Sequence, residues 1–166
     1  MKRDSGFTLI ELLIVVMILG IIGAVAVPMI SGTADAQCQA AARTLVSDME
    51  VAQSMALAQQ VNVALVFSDD SQSYKVVVAD GQNLDSYDTL VPMNHPALPG
   101  RSYEVNLSAD LGLPDVRVGA ASFHGSPYVV YDTFASPDFG GSVILTAGQA
   151  TLTVTVESIT GRVSVN

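Results

Sequence analysis

A long unbroken run of apolar residues near the start is the strongest pattern in the chain. From Leu12 to Ala34 there are 23 consecutive residues without a charged side chain. At about 1.5 Å per helical residue, such a run can cross a hydrocarbon core of roughly 30 Å. Lys2 and Arg3 precede the run, so the positive-inside bias keeps the first residues in the cytoplasm and exports the rest. The pattern predicts one membrane span followed by an exported domain.

Beyond this span the apolar positions keep a helical spacing as far as residue 60. One stripe, with steps of three and four residues, consists of Ala41, Leu45, Met49, Ala52 and Ala56. The polar positions off that stripe include Arg43, Asp48, Glu50 and Gln53. The spacing predicts an amphipathic helix over residues 35–60 that docks on a sheet. Pro28 is expected to end or kink the helix before it, because proline removes a backbone donor and clashes with the preceding turn.

From residue 61 onward the period changes to that of strands. Runs rich in β-branched residues occupy 61–67, 74–79, 116–118, 143–146, 150–156 and 162–165, with turn signals at 68–71, 147–149 and 158–161. Residues 80–114 are less regular, hold four prolines, and are expected to form variable loops with a short strand at 103–107. Partner contacts are expected in these loops. The whole pattern predicts an α+β domain in which a long N-terminal helix packs on a mostly antiparallel sheet.

Composition and charge argue against some classes of binding partner for the exported domain. Without Lys2, Arg3 and Asp4, five basic residues stand against fifteen acidic ones. This balance makes nucleic acid and anionic lipid poor partners for the exported domain. Cys38 is the single cysteine, so an intramolecular disulfide is excluded. The residue is interpreted as a small packed side chain, with intersubunit crosslinking or lipidation as the alternatives.

Glu11 is unusual because it lies where the apolar segment begins. An ionised carboxylate near hydrocarbon costs about 2.5–3.5 kcal/mol on insertion scales, and such residues usually have a functional partner. The alternative is that Glu11 lies at the headgroup level and is simply solvated. A second alternative reads the whole start as an ordinary secretory signal, with Ala24, Val25 and Ala26 as its cleavage site. Against that reading, the apolar run continues to Ile30.

The residues from Gly6 and Phe7 through Thr8, Leu9, Ile10 and Glu11 closely resemble the class III signal of type IV prepilins and type II secretion pseudopilins. The resemblance implies that a prepilin peptidase cuts between Gly6 and Phe7 and that the new amine of Phe7 is methylated. It also implies that Glu11 pairs with the N-terminal amine of a neighbouring subunit during assembly. The chain then divides into a leader at 1–6, a transmembrane and assembly helix at 7–34, and a periplasmic pilin-like domain at 35–166.

Three later segments, at 42–63, 122–127 and 159–163, resemble in their order the minor pseudopilin H family (GspH) of type II secretion and its FimT relatives. The resemblance implies a filament subunit of the bacterial inner membrane, at or near the tip of a periplasmic pseudopilus, without catalysis or a cofactor. Implied partners are the prepilin peptidase, other pseudopilins or pilins, the inner-membrane assembly platform, and exoprotein cargo or the secretin. The other reading that it leaves open is a minor type IV pilin for pilus assembly or DNA uptake.

The sequence offers little for three other functions: DNA binding, catalysis and calcium binding. FimT-like DNA capture uses basic residues near the C-terminus, and here the tail offers only Arg162 with Glu157 close by. An enzyme would draw on His95 and His124, both of which are read as satisfied or solvated loop histidines. Asp69, Asp70 and the acidic stretch 80–88 carry oxygen ligands of the kind calcium takes, but their spacing is not that of an EF-hand loop. They are read as solvated acidic turns, with no metal.

Overall fold

Over the described residues, the computed structural model has one long α-helix, a short 3-10 helix at Tyr87–Thr89 and eight strands. The structure describes residues 7–166, and for residues 24–32 it describes the helical backbone alone. The chain divides into two compact units, Met1–Thr33 and Ala34–Asn166. Gly6, the predicted residue before the cleavage site, lies outside the described residues. Helix α1 covers Leu9–Gln59 and so does not end at Pro28; the predicted kink there falls where side chains are not described and stays a prediction.

Both ends of α1 are set by local chemistry. At its start the hydroxyl of Thr8 accepts a hydrogen bond from the backbone N–H of Glu11 at 3.3 Å, which is the arrangement of a helix N-cap. At its end Gln60 has a positive φ of 56°, a left-handed conformation that stops a helix. The side chain of Gln60 donates to the carbonyl oxygen of Leu57 at 2.8 Å. The predicted end of the helix near residue 60 is confirmed.

The strands are β1 (Val63–Phe67), β2 (Ser73–Val78), β3 (Glu104–Asn106), β4 (Val116–Phe123), β5 (Tyr128–Tyr131), β6 (Gly141–Ala147), β7 (Ala150–Val156) and β8 (Val163–Val165). They form two sheets, in the orders β3-β2-β1-β5 and β4-β6-β7-β8. Every pairing is antiparallel. The α+β expectation is confirmed, but the domain has two sheets where the sequence suggested one. Strand β5 was missed, although its sequence, Tyr-Val-Val-Tyr, is rich in residues that favour strands.

The main core joins the helix to both sheets. All five residues of the predicted helical stripe are fully buried, as is Cys38, and they pack with inward residues of the two sheets, such as Leu65 and Leu145. In β7, Val154 and Val156 are buried while Thr151 is exposed, in line with the predicted alternation. Helix and sheets therefore share one core, as the period change at residue 61 indicates.

A second, smaller core lies on the other side of the first sheet. Ala64, Val66 and Val77 point into it, and Leu90 and neighbouring residues of the 80–91 segment cover them. Burial on both faces explains why β1 is continuously apolar. Strand β2 is also buried but includes Ser73 and Lys75. The segment 80–91 thus serves partly as a lid on the sheet, a structural role that the expectation of free variable loops did not include.

Candidate functional site

The first described residues present an apolar surface that nothing in their own unit covers. Phe7 is 76% exposed, and the large apolar side chains from Leu9 to Ile22 are also exposed. Exposed apolar surface on this scale marks a segment that meets lipid or another protein. Across the residues whose side chains are described, which omit 24–32, no helix is both long and apolar enough to cross a membrane.

Glu11 lies in the first turn of α1, where a carboxylate is favoured by the positive end of the helix dipole. Thr8 and Glu11 have the spacing of a capping box, so part of the role of Glu11 is to start the helix. Its side chain is exposed, and none of the ion pairs among the described residues involves it. The carboxylate is therefore available to a charge outside this chain.

A buried carboxylate lies further along the helix, and here the sequence prediction was wrong. Asp48 was placed off the buried stripe, but it is only 9% exposed. It accepts hydrogen bonds from the hydroxyls of Tyr74 at 2.5 Å and Tyr103 at 2.9 Å. Burial, followed by the nearby charge of Asp48, raises the pKa of both tyrosines. The three residues fix α1 to β2 and to the segment that precedes β3.

Gln53, also placed off the stripe, holds two loops against the helix. Its side-chain amide donates to the carbonyl oxygens of Ala135 at 2.9 Å and Thr160 at 3.4 Å. These residues belong to the β5–β6 and β7–β8 loops, and the hydroxyl of Ser136 joins the loops by donating to the carbonyl of Ile159 at 3.0 Å. Polar residues at the edge of an apolar stripe thus position loops, a role that spacing alone did not indicate.

The two histidines lie in separate places, His95 beside Tyr103 and His124 in a small cavity that Ser126 and Asp138 also line. The ring of His95 packs on that of Tyr103 at 4.5 Å, and its Nδ1 accepts a hydrogen bond from the backbone N–H of Ala97. The ring of His124 stacks on that of Phe139, also at 4.5 Å. Both positions fit the expectation of satisfied or solvated loop histidines, and among the described residues no hydrogen bond joins either imidazole ring to a serine, threonine or cysteine side chain.

The acidic turns line an open depression that includes Asp69, Asp70, Asp85 and Asp88. A backbone hydrogen bond from Gln72 lowers the pKa of the Asp70 carboxyl. In the described part of the chain, no three His, Cys, Asp or Glu side chains are placed to hold a metal ion. Arg162 lies 3.9 Å from Glu157, so its charge is partly matched within the chain.

Cys38 is buried against the second sheet. Its thiol lies 3.9 Å from the carbonyl oxygen of Ala150, and burial, with a smaller contribution from Asp35, raises its pKa. A buried thiol of raised pKa is a packing residue. The expectation that Cys38 is a small packed side chain is confirmed.

Comparison with models of known protein families shows the family of this chain. Residues 1–27 match the prokaryotic N-terminal methylation motif. Residues 41–161 match the type II transport protein GspH. This chain belongs to the GspH family. The methylation motif covers Gly6, Phe7, Glu11 and most of the exposed apolar segment, whereas the GspH match covers the helix-and-sheet domain.

Solved structures place this GspH-family chain in the pilin-like fold. The minor pseudopilin EpsH from the type 2 secretion system of Vibrio cholerae aligns with a TM-score of 0.56 at 7% identity, covering 78% of this chain and 96% of that one. The type IV minor pilin FimU of Pseudomonas aeruginosa aligns with a TM-score of 0.51 at 10% identity, covering 77% and 91%. A second crystal form of FimU gives the same TM-score at 14% identity. No curated protein sequence matches the chain.

Proposed function

We propose that this chain is a minor pseudopilin, a non-catalytic subunit at or near the tip of a type II secretion pseudopilus that supports protein export. The observation that carries the proposal is the combination of the GspH match over 41–161 with the methylation motif over 1–27. The exposed apolar residues from Phe7 to Ile22 support it, because they need lipid before assembly and neighbouring subunits afterwards.

In this proposal the prepilin peptidase cuts between Gly6 and Phe7 at the cytoplasmic face of the inner membrane, and the amine of Phe7 is methylated. The uncharged run from Leu12 to Ala34 anchors the chain, and the following domain lies in the periplasm. The assembly platform then extracts the subunit into a filament. The N-terminal amine of one subunit neutralises Glu11 of a neighbour, which removes the cost of a bare carboxylate among apolar helices.

The first experiment is mass spectrometry of the N-terminus of the membrane-bound chain, with and without the prepilin peptidase. The expected result is a methylated Phe7 terminus that depends on the peptidase. A terminus at Val27 would show an ordinary signal peptide, and an intact Met1 in the presence of the peptidase would show no processing. Either of these results would overturn the proposal.

A second measurement tests Glu11. Glu11→Ala should be processed normally but lost from the purified filament, because its charge contact with the neighbour is missing. Glu50→Ala is the matched control, since Glu50 is an exposed glutamate of the same helix that forms no ion pair among the described residues. Equal incorporation of both variants would contradict the assembly role of Glu11.

A minor type IV pilin is the second candidate, and the alignment with FimU favours it. Deletion of the gene separates the two. Loss of exoproteins from the medium with normal piliation supports the secretion role, whereas loss of pili or of DNA uptake with normal secretion supports the pilin role. In the second case Arg162→Ala tests DNA binding directly, and the ion pair of Arg162 with Glu157 leads us to expect little change.

A further inference from the structure

A small open cavity lies where β4 turns into β5, and no role described so far uses it. Its volume is about 140 Å³, and the residues that line it include Phe123, His124, Tyr128, Asp138 and Phe139. A cavity of about 150 Å³ accommodates a ring the size of benzene. This cavity therefore has room for the end of one long side chain but not for a cofactor.

The aromatic walls are held by a tight hairpin. The backbone N–H of Phe123 donates to the carbonyl of Ser126 at 3.0 Å, and the N–H of Ser126 donates back at 3.1 Å. The two central residues, His124 and Gly125, have positive φ values of 55° and 92°, as a type I′ turn requires. This turn fixes the His124 ring, which stacks on Phe139 with an angle of 15° between the rings.

Phe139 is placed by the two glycines that follow it. A Cβ at Gly141 would lie 2.6 Å from the ring atom Cδ1 of Phe123, so only glycine lets the backbone pass this close. Gly140 is also crowded, because a Cβ there would lie 2.8 Å from the backbone nitrogen of Ser158. Phe139 nevertheless remains 51% exposed at the cavity. The walls are thus built by the fold, while their faces stay open to a ligand.

Asp138 is the acidic residue among the described residues that line the cavity. Among the described residues, the Asp138 side chain has no hydrogen bond and no ion pair, although its backbone N–H donates to Val130 at 2.9 Å. Aromatic faces next to a carboxylate attract a cation, through the ring quadrupole and through direct charge. The chemistry therefore fits an ammonium or guanidinium group.

The same chain already holds a cation of its own in this way. The Nζ of Lys75 lies 4.2 Å from the centre of the Tyr87 ring and 3.8 Å from a carboxylate oxygen of Glu104. Lys75 is largely buried there. The cavity at Asp138 repeats this combination of ring and carboxylate, and no lysine or arginine of the described residues lines it.

We infer that the cavity formed by His124, Tyr128, Asp138 and Phe139 binds an arginine or lysine side chain of a neighbouring subunit. The inference rests on the proposed function, since it takes the partner to be another subunit of the filament. Charge complementarity selects this occupant: the exported part of the chain is strongly acidic, and the free carboxylate lies in the cavity itself.

The test uses the full-length chain in detergent micelles, labelled with ¹⁵N, and titrates it with N-acetylarginine methylamide. We expect saturable shifts at the backbone amides of 123–126 and 138–139, with a dissociation constant in the millimolar range. The neutral isostere N-acetylcitrulline methylamide should bind at least about fivefold more weakly, because it keeps the shape but loses the charge. Equal binding of the two compounds, or no saturable shift with arginine, would overturn the inference.

Two matched pairs of variants localise the binding. Asp138→Asn and Phe139→Leu should each weaken arginine binding at least about fivefold. Their controls are Asp115→Asn, another exposed aspartate without a side-chain partner among the described residues, and Phe134→Leu, which is 84% exposed elsewhere. Loss of binding in the controls as well would overturn the assignment. Choline that binds as tightly as arginine and independently of Asp138 would point to a lipid headgroup and would also overturn it.

A cell-based arm separates this inference from the proposed function. Asp138→Arg should still give a methylated Phe7 terminus but should be incorporated less into the filament than Asp115→Arg. Normal incorporation of Asp138→Arg into the filament would overturn the inference about the cavity but would not contradict the filament role. An unprocessed N-terminus in the unaltered chain would instead refute the filament role, whatever the micelle titration shows.

Discussion

Asp48 on α1 accepts a hydrogen bond from the hydroxyl of Tyr74 on β2, with 2.5 Å between the two oxygens. The contact joins the helix to the first sheet inside the core, and Tyr103 adds a second bond at 2.9 Å. A buried carboxylate with two hydroxyl donors is satisfied without a cation. The docking of the helix thus depends on a polar cluster as well as on the apolar stripe.

This cluster predicts a fall in stability at alkaline pH. The folded pKa of Tyr74 is raised well above the ordinary value of 10.0 by burial and by Asp48. A raised folded pKa gives stability that is fully present below about pH 10 and is lost as pH rises toward the folded pKa, because the unfolded chain ionises first. Urea unfolding of the full-length chain in micelles from pH 8 to pH 11.5 should show this fall.

The variant Tyr74→Phe should reduce the alkaline fall and lower the free energy of unfolding at pH 8 by about 1–3 kcal/mol, since Asp48 loses a donor. Tyr128→Phe is the control, because the Tyr128 hydroxyl lies outside this cluster and makes no hydrogen bond among the described residues. A Tyr74→Phe profile that falls as steeply as the parent above pH 10 would contradict the assignment to this residue.

Replacing Tyr131 with phenylalanine should stabilise the fold, whereas the same change at Tyr74 should destabilise it. Its hydroxyl is buried without a hydrogen-bond partner in the described part of the chain, and burial raises its pKa. An unpartnered buried hydroxyl costs about 1–3 kcal/mol. Tyr131→Phe is therefore expected to raise the free energy of unfolding by about 1 kcal/mol, measured by urea unfolding at pH 7. A decrease would show that the hydroxyl has a partner, such as a water molecule.

Gln53→Ala should loosen the β5–β6 and β7–β8 loops together, because one amide holds both. We expect a loss of about 1–2 kcal/mol in unfolding free energy and faster hydrogen exchange at 132–137 and 157–161. Ser54→Ala is the control, since Ser54 bonds only to Glu50 within the helix. Faster exchange in only one of the two loops would contradict the shared anchor.

Gly161→Ala tests the same contact from the loop side. Gly161 has a positive φ of 66°, and an added Cβ would collide with the Gln53 amide and lie 3.1 Å from Cδ of Pro137. The substitution should cost more than about 1 kcal/mol, because backbone strain and the collision add. Gly81→Ala also has a positive φ but open space around it, so it measures the strain alone.

Cys38 should be unreactive in the folded chain. It is fully buried, and burial raises its pKa, so little thiolate is present or accessible. Iodoacetamide at pH 8 should leave the native chain unmodified over a time that fully alkylates it in 8 M urea, as read by mass spectrometry. Rapid labelling of the native chain would show that α1 separates readily from the second sheet.

Several features of the fold could be predicted from the sequence because they depend on the local pattern of residues. The helical stripe from Ala41 to Ala56, seven of the eight strands and the turns around Asp70, Gly148 and Gly161 follow from the spacing of apolar residues and from turn residues. The N-terminal signal could also be recognised from the sequence, since a charged leader, an apolar run and one acidic residue are features of the sequence itself. None of these features depends on contacts between distant parts of the chain.

The sites that depend on contacts between residues far apart in the sequence could not be predicted from the sequence. Asp48 looked like a solvent-facing helical residue, and only the meeting of α1 with Tyr74 and Tyr103 made it a buried acceptor. The cavity at Asp138 arises because the His124 turn and the Phe139 segment, apart in sequence, come together. Spacing along a chain cannot reveal such pairs.

The sequence by itself determined the class of the protein: a match to the prokaryotic N-terminal methylation motif, an apolar segment, one amphipathic helix and a strand-rich domain of acidic charge. These depend on interactions of each segment with water, lipid or its own backbone, which local composition controls. The tertiary structure decided the division into two sheets, the buried role of Asp48, the anchoring by Gln53 and the cavity at Asp138. These depend on which surfaces meet when the core closes, and packing over the whole chain sets that outcome.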